Sequence, residues 1–320
     1  MQRFFFAESR SFGYRATQLF DFIHPASVSL WNLRWQVQGF VTAVPDATED
    51  ELSGRFANGS GIQSTNLRRV CIDTSWEDQL GQFSQIMGAS MIALYEGWAE
   101  SLLPKLGHAK FAKEVQIPSA GTYGQNANTK GVAQALAEIH AAGMSPEMEK
   151  GFSPTYKSHS KYSFTQLDAL VTPYRYHKEI RNSFTHQGGT AGDRAVNAWR
   201  KASALTAKDI GGKTGPILTM PVKDKPITYP IKEAIQLADV ITRLVHTIDA
   251  ELTGTLFAEQ YFYEAWKGNP NIANLQLQAF PSDPVHQNRK INQICRKAGF
   301  LSPADPTAII AMCKKSGKLS

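Results

Sequence analysis

One stretch constrains what this chain can fold into more than any other: "SWEDQLGQFSQIMGASMIALYEGWAESLLPKLG", residues 75–107. Leu80, Phe83, Met87, Met91, Leu94, Trp98 and Leu102 follow one another at three- and four-residue steps, which puts one continuous apolar face on a helix. Ser75 fits the N-cap, Asp78 stands where a capping box carries Glu or Gln, and Pro104 with Gly107 stops the helix. A helix with so long an apolar face must bury it against other elements, so the chain has to supply them.

Further segments supply them in kind. "GVAQALAEIHAAG" (131–143) reads as a shorter helix, and "GTYGQNANTKG" (121–131) before it as a loop. In "SFTQLDALVTPYRYHKEIRNSFTHQGG" (163–189) Thr172 and Pro173 form an N-cap and first-turn pair, and Gly188 sits at a left-handed C-terminal cap; a helix over about 173–187 is expected. "GDRAVNAWRKASALT" (192–206) reads as another helix, "KTGPILTMPVKDKPITYP" (213–230) as a Pro-rich, partly extended connection. "IKEAIQLADVITRLVHTIDAEL" (231–252) reads as a long amphipathic helix with Ile231, Ile235, Ala238, Ile241, Leu244, Val245 and Ile248 on one side.

The first 75 residues read as non-helical. "SLWNLRWQVQGFV" (29–41) alternates Trp31, Leu33, Trp35 and Val37 with polar residues, the period of a half-buried strand, and "FANGSGIQSTN" (56–66) reads as a loop. The expected architecture is therefore mainly α: a strand-containing N-terminal extension over 1–75, a helical domain over 76–255, and a C-terminal segment over 256–320 with short helices.

Composition bounds function more loosely. With 320 residues, 42% hydrophobic and 19% charged, the chain is long enough for a sizeable core and is composed like a globular protein. No run of eighteen apolar residues occurs, and the start lacks the apolar core and cleavage site of a signal peptide, so cytoplasmic residence and no membrane partner are expected. Cys71, Cys295 and Cys313 are odd in number and far apart, which suggests neither a disulfide framework nor a thiolate zinc site. A net charge of +6 favours a polyanionic partner, although charge alone is not specific.

Several motifs fail on their own terms. "GGKTGP" (211–216) contains Gly-Lys-Thr, but a P-loop needs Gly where Ala207 stands, and Pro216 opposes the helix that must follow. "GGTAG" (188–192) lacks the preceding strand of a dinucleotide fold. No H-E-x-x-H or comparable spacing occurs, so no metal and no cofactor is expected. The basic stretches "NRKINQICRKAG" (288–299) and "KKSGK" (314–318) suit solvated faces as well as RNA contacts.

What remains is "EIRNSFTHQGG", residues 179–189. Of the eight histidines only His186 has an arginine, Arg181, five residues before it. On an ideal helix that separation is a rotation of about 140°, so the two do not share a face, whereas Arg181 and Thr185 nearly do. They converge if the last turn loosens or if a second subunit brings its own pair alongside. Otherwise the stretch is a solvated helix end with His186 at the negative end of the dipole.

"RNSFTH", at the end of a helix after several amphipathic helices, resembles the Arg-polar-x-x-x-His signature of the HEPN superfamily, over roughly residues 76–255. The resemblance implies an antiparallel helical bundle and a metal-independent endoribonuclease. In it two copies of the motif meet across a homodimer and cut single-stranded RNA by attack of the ribose 2′-OH. Such proteins serve as toxins or as defence effectors against phage, which implies a restraining or activating protein partner. Arg181, Asn182 and His186 map onto the signature. His supplies a group of pKa near neutrality to move protons, Arg a fixed charge against the phosphorane, and Asn182 orients the imidazole or holds a phosphate oxygen. His177, one turn before Arg181 on the same face, together with Arg175 and Lys178, is a candidate for binding RNA, and Glu96 on the first long helix a candidate neighbour of the site. Two other readings stay open: a non-catalytic HEPN module that holds RNA or a nucleotide or serves as a dimerising scaffold, and a helical interaction protein in which the motif is coincidence.

Overall fold

A computed structural model describes residues 4–62, 66–107, 109–112, 132–267, 272, 280–317 and 319. The predicted loop at 121–131 and part of the one at 56–66 lie outside the described residues. The protein is mainly helical; among the described residues no β-strand forms, only isolated bridges joining Met144 to Thr255 and Thr190 to Pro226.

The N-terminal strand is replaced by a helix, α1 (Ala7–Ala43). The alternation of Trp31, Leu33, Trp35 and Val37 misled because it is not the burial pattern. Trp31 and Trp35 are exposed and meet each other on the surface, where Trp31 also meets Trp76. Polar Arg34 is buried, its guanidinium donating to the carbonyls of Val70 and Thr74 and to Gln79 Oε1. Leu33, Val37, Phe40 and Val41, at the i, i+4, i+7, i+8 spacing of a helix, pack together with Leu52, Leu67 and Cys71. A short helix α2 (Glu49–Phe56), closed by a Thr48–Glu51 capping box, and one turn of π-helix (Arg69–Asp73) follow.

The long helix α3 runs Trp76–Lys105, with the Ser75 side chain accepting from the Asp78 N–H as the sequence predicts. Then come α4 (Val132–Ala142), α5 (Pro146–Gly151), α6 (Ser153–Lys157), α7 (Leu167–His186), α8 (Asp193–Ser203), α9 (Ile231–Leu252), α10 (Leu256–Lys267), α11 (Pro284–Lys297) and α12 (Pro306–Lys315). Residues 213–230 carry no helix, as expected. Helix α7 starts six residues before Pro173, so Thr172 is not its cap. Proline costs the helix one internal hydrogen bond, but Leu167, Leu170 and Val171, in the turn before it, are buried in the core, and that packing decides.

Helix α3 packs on α1 and α9, and α7 packs on α8, α9 and α3. One apolar cluster runs from Phe4, Phe5 and Phe6 through α3 and α9 to Phe262, Trp266, Ile294 and Phe300, so the two terminal segments share the core of the middle one. Helix α9 is central. Its polar residues Glu233, Arg243, Thr247, Asp249 and Glu251 are buried too, so the solvent face its amphipathic pattern implies is confined to the N-terminal half, where Lys232 is exposed and Ile235, expected on the apolar side, is exposed as well. Asp249 accepts the N–H groups of Phe5 and Phe6 and thereby caps the start of α1 from a distance.

Candidate functional site

Helix α7 carries every candidate residue but one. Its buried stripe of Leu170, Tyr174, His177 and Ile180 faces α3 and α9, and the ring of Tyr174 meets that of Tyr95 at 5.1 Å. That packing aligns the next turn with Glu96 of α3. Lys178 Nζ lies 2.6 Å from Glu96 Oε1, and Arg181 Nη2 bridges both oxygens of the same carboxylate at 3.2 and 3.0 Å. All three side chains are a quarter exposed or less, which leaves them less screened than surface ions. Two cations on one carboxylate leave one positive charge in excess. Arg175 is tied to Glu179 at 2.6 Å and is nearly buried.

His177 sits inside the protein, at 1% exposure, and not on the surface of a basic helix. Its Nδ1 is 2.9 Å from the Tyr229 hydroxyl, and burial pushes its pKa down to about 3, so it is neutral near pH 7. His177, Arg181 and Thr185 of α7, with Gln85, Ile86, Gly88 and Ala89 of α3 and Tyr229, line a cleft of about 240 Å³. Gly88 makes the approach of Tyr229 possible: a Cβ there would stand 2.9 Å from the ring's Cε1.

The other half of the motif lies apart. The helix stays regular through His186, with the Gln187 N–H on Ser183 O, and ends on Gly188 and Gly189 at φ 60° and 80°. Gly188 is thus the left-handed terminus that the sequence predicts. The last turn does not loosen. His186 is exposed and Asn182 half-buried, and neither side chain is hydrogen bonded among the described residues. Within one chain the fold brings Glu96, Lys178 and Arg181 together, sets Arg181 and His177 in one cleft, and leaves His186 outside it.

Sequence reasoning reached Glu96 but not Tyr229 or Gly88. Tyr229 is 52 residues from His177, in a stretch read as a connection, and no short-range pattern signals it. Among the described residues no three His, Cys, Asp or Glu side chains are grouped to hold a metal ion, and no helix is long and apolar enough to cross a membrane. Comparisons with family models, with curated proteins and with solved structures return no match.

Proposed function

We propose that the protein is a metal-independent endoribonuclease of HEPN type that cuts single-stranded RNA as a homodimer, in the manner of toxins and defence effectors. The observation that carries this reading is the disposition of the motif at the end of α7. Arg181 is held by Glu96 beside a cleft, while His186 stands exposed at the helix terminus, open to a second copy. His186 takes the proton of the ribose 2′-OH as its oxygen attacks the adjacent phosphorus. The P–O5′ bond breaks, and the leaving 5′-oxygen takes a proton from the second copy's His186. Arg181 offsets charge on the phosphorane, and Asn182 orients the reacting groups. The products are a 2′,3′-cyclic phosphate and a 5′-hydroxyl.

Incubation of the purified protein with single-stranded RNA in EDTA tests it. Wild type is expected to leave cyclic-phosphate ends, and His186→Ala and Arg181→Ala to lose at least about a hundredfold in rate, the size of a lost acid/base or oxyanion contact. Undiminished cleavage by His186→Ala would falsify the catalytic role. Sedimentation should show a dimer; a monomer at every concentration that supports cleavage sinks the composite site.

A second reading, a non-catalytic module that holds RNA or a nucleotide, is favoured by the pairing of Arg181 with Glu96, which offsets the charge a phosphorane would need. RNA binding without cleavage by any form of the protein would select it.

A further inference from the structure

The connection between α8 and α9 is apolar on two sides, and its packing uses only one. Leu218 and Ile227 pack against the cluster of Tyr176, Ile180 and Ala198, and Pro221 is buried. Hydrogen bonds hold the segment at both ends. The N–H groups of Ile217 and Thr219 donate to Gln236 Oε1 and Glu233 Oε1 in the first turns of α9. Just before α8, the Ala191 N–H donates to Lys225 O and the Asp224 N–H to Ala191 O. The segment is thus a fixed part of the surface, yet Ile217, Met220 and Val222 are 43%, 57% and 54% exposed, and Ile235 of α9 is 43% exposed. One exposed aliphatic side chain is ordinary. Four within residues 217–235, on backbone anchored in place, leave apolar area in water that a partner would cover.

The same region carries charge. Residues 193–233 hold eight Lys and Arg against four Asp and Glu, in a chain whose net charge is +6. All eight cations are exposed, whereas Glu233 is buried and Asp193 pairs with Lys223 at 2.9 Å. Lys223 and Lys225 follow Val222, and Lys232 lies one turn from Ile235, so cations and aliphatic side chains are interleaved.

Two polyanionic partners suit exposed lysines, RNA and an anionic bilayer. RNA surfaces offer aromatic rings on which bases stack, and the large exposed apolar side chains of this stretch include none. A bilayer accepts both kinds of group: its headgroups attract the lysines, and its acyl boundary takes aliphatic side chains out of water. Among the described residues no helix is long and apolar enough to cross a membrane, which bears on spanning and not on adsorption.

We propose that residues 217–225 and the first turns of α9 dock on an anionic phospholipid bilayer. Ile217, Met220, Val222 and Ile235 enter the headgroup boundary, and Lys213, Lys223, Lys225 and Lys232 meet the lipid headgroups. This peripheral contact goes beyond the nuclease reading and does not depend on it.

The test is co-sedimentation of the full chain with vesicles of phosphatidylcholine alone and of an equal mixture of phosphatidylcholine and phosphatidylserine. Binding is expected to the mixed vesicles only, and to fall as salt approaches 1 M, where screening shortens to about 3 Å. Lys213→Gln, Lys225→Gln and Lys232→Gln should each weaken it about fivefold. Met220→Ser combined with Val222→Ser should weaken it at least about tenfold. All five side chains are exposed, so thermal melts of the variants should match wild type. Insertion is read at Met220→Cys. The native cysteines are buried, so a polarity-sensitive dye labels the introduced thiol, and its emission should shift to the blue on mixed vesicles. The same dye at Gln260→Cys, in α10 beyond the far end of α9, should not shift.

Equal binding to both vesicle types, binding to neither, a Met220→Ser, Val222→Ser protein that binds as wild type does, or no blue shift at position 220 overturns the proposal. Binding to single-stranded RNA in place of vesicles, lost with the lysines and kept without Met220 and Val222, overturns it in favour of a nucleic-acid face. Self-association lost with Met220 and Val222, without vesicle binding, overturns it in favour of a second copy. RNA cleavage in EDTA is scored apart, so this proposal and the nuclease reading fail independently.

Discussion

A histidine buried as a neutral imidazole makes folding depend on protons. The folded pKa of His177 is about 3, against 6.5 for the free side chain. Above pH 6.5 neither state binds a proton there. As pH falls from 6.5 toward 3 the unfolded chain takes one up and the folded chain does not, so stability is lost at about 1.4 kcal/mol per pH unit. Asp249, raised to about 6 by burial, works in the opposite sense, so the comparison between wild type and variant carries the information. Denaturant titrations of wild type and His177→Gln across pH 4–7 should converge toward low pH; parallel curves would mean that the imidazole titrates in the folded protein. His177 follows Leu170 and Tyr174 by the seven- and three-residue steps of the buried stripe, so its burial was written in the periodicity. Charge composition pulled the reading the other way, because Arg175 and Lys178 flank it. Only the structure pairs those cations with Glu179 and Glu96.

Among the elements, α3 and α9 were legible and α1 was not. Repetition made the difference: α3 holds its apolar period over many turns, whereas in 29–41 only Leu33 and Val37 of the four alternating residues also lie on the helix's buried face, and the polar Arg34 falls inside. Helix α9 had the right ends and the wrong surroundings, since hydrophobic periodicity describes one face and cannot tell water from buried hydrogen-bond partners on the other. Glycines of α3 test the packing around the cleft. At Gly81 a Cβ meets nothing within 4 Å, so Gly81→Ala should stabilise by about 0.5–1 kcal/mol through helix propensity. Gly88→Ala gains the same propensity, but its Cβ presses on the buried Tyr229 ring, and overpacking of about 1–3 kcal/mol outweighs it. The two variants should therefore shift the denaturant midpoint in opposite directions; a shift of the same sign in both would mean that Tyr229 moves aside freely.

At the scale of the whole molecule, the N-terminal segment closes the core. Phe5 is fully buried against Phe152, Tyr156 and Phe300, and its N–H is held by Asp249. Phe5→Ala should cost about 3–5 kcal/mol, a large part of the stability of an ordinary domain, and thermal melting should show the loss across the whole transition. Loss of a local N-terminal signal with the main transition unmoved would mean that the segment docks on a core already complete.

By itself the sequence determined that the chain is mainly helical, where α3, α8 and α9 lie to within a few residues, where α7 ends though not where it starts, and that Arg181 and His186 diverge on one helix. Each follows from the chemistry of neighbours along the chain: apolar period, capping side chain, glycine at positive φ, rotation per residue. Tertiary structure alone decided that residues 29–41 are helical, that the polar residues in the second half of α9 are inside, that Glu96 holds both Lys178 and Arg181, and that Tyr229 meets His177. Those outcomes turn on burial and on hydrogen bonds between residues tens to hundreds of positions apart. Such pairings are selected by the free energy of the packed whole and leave no periodic trace in the chain.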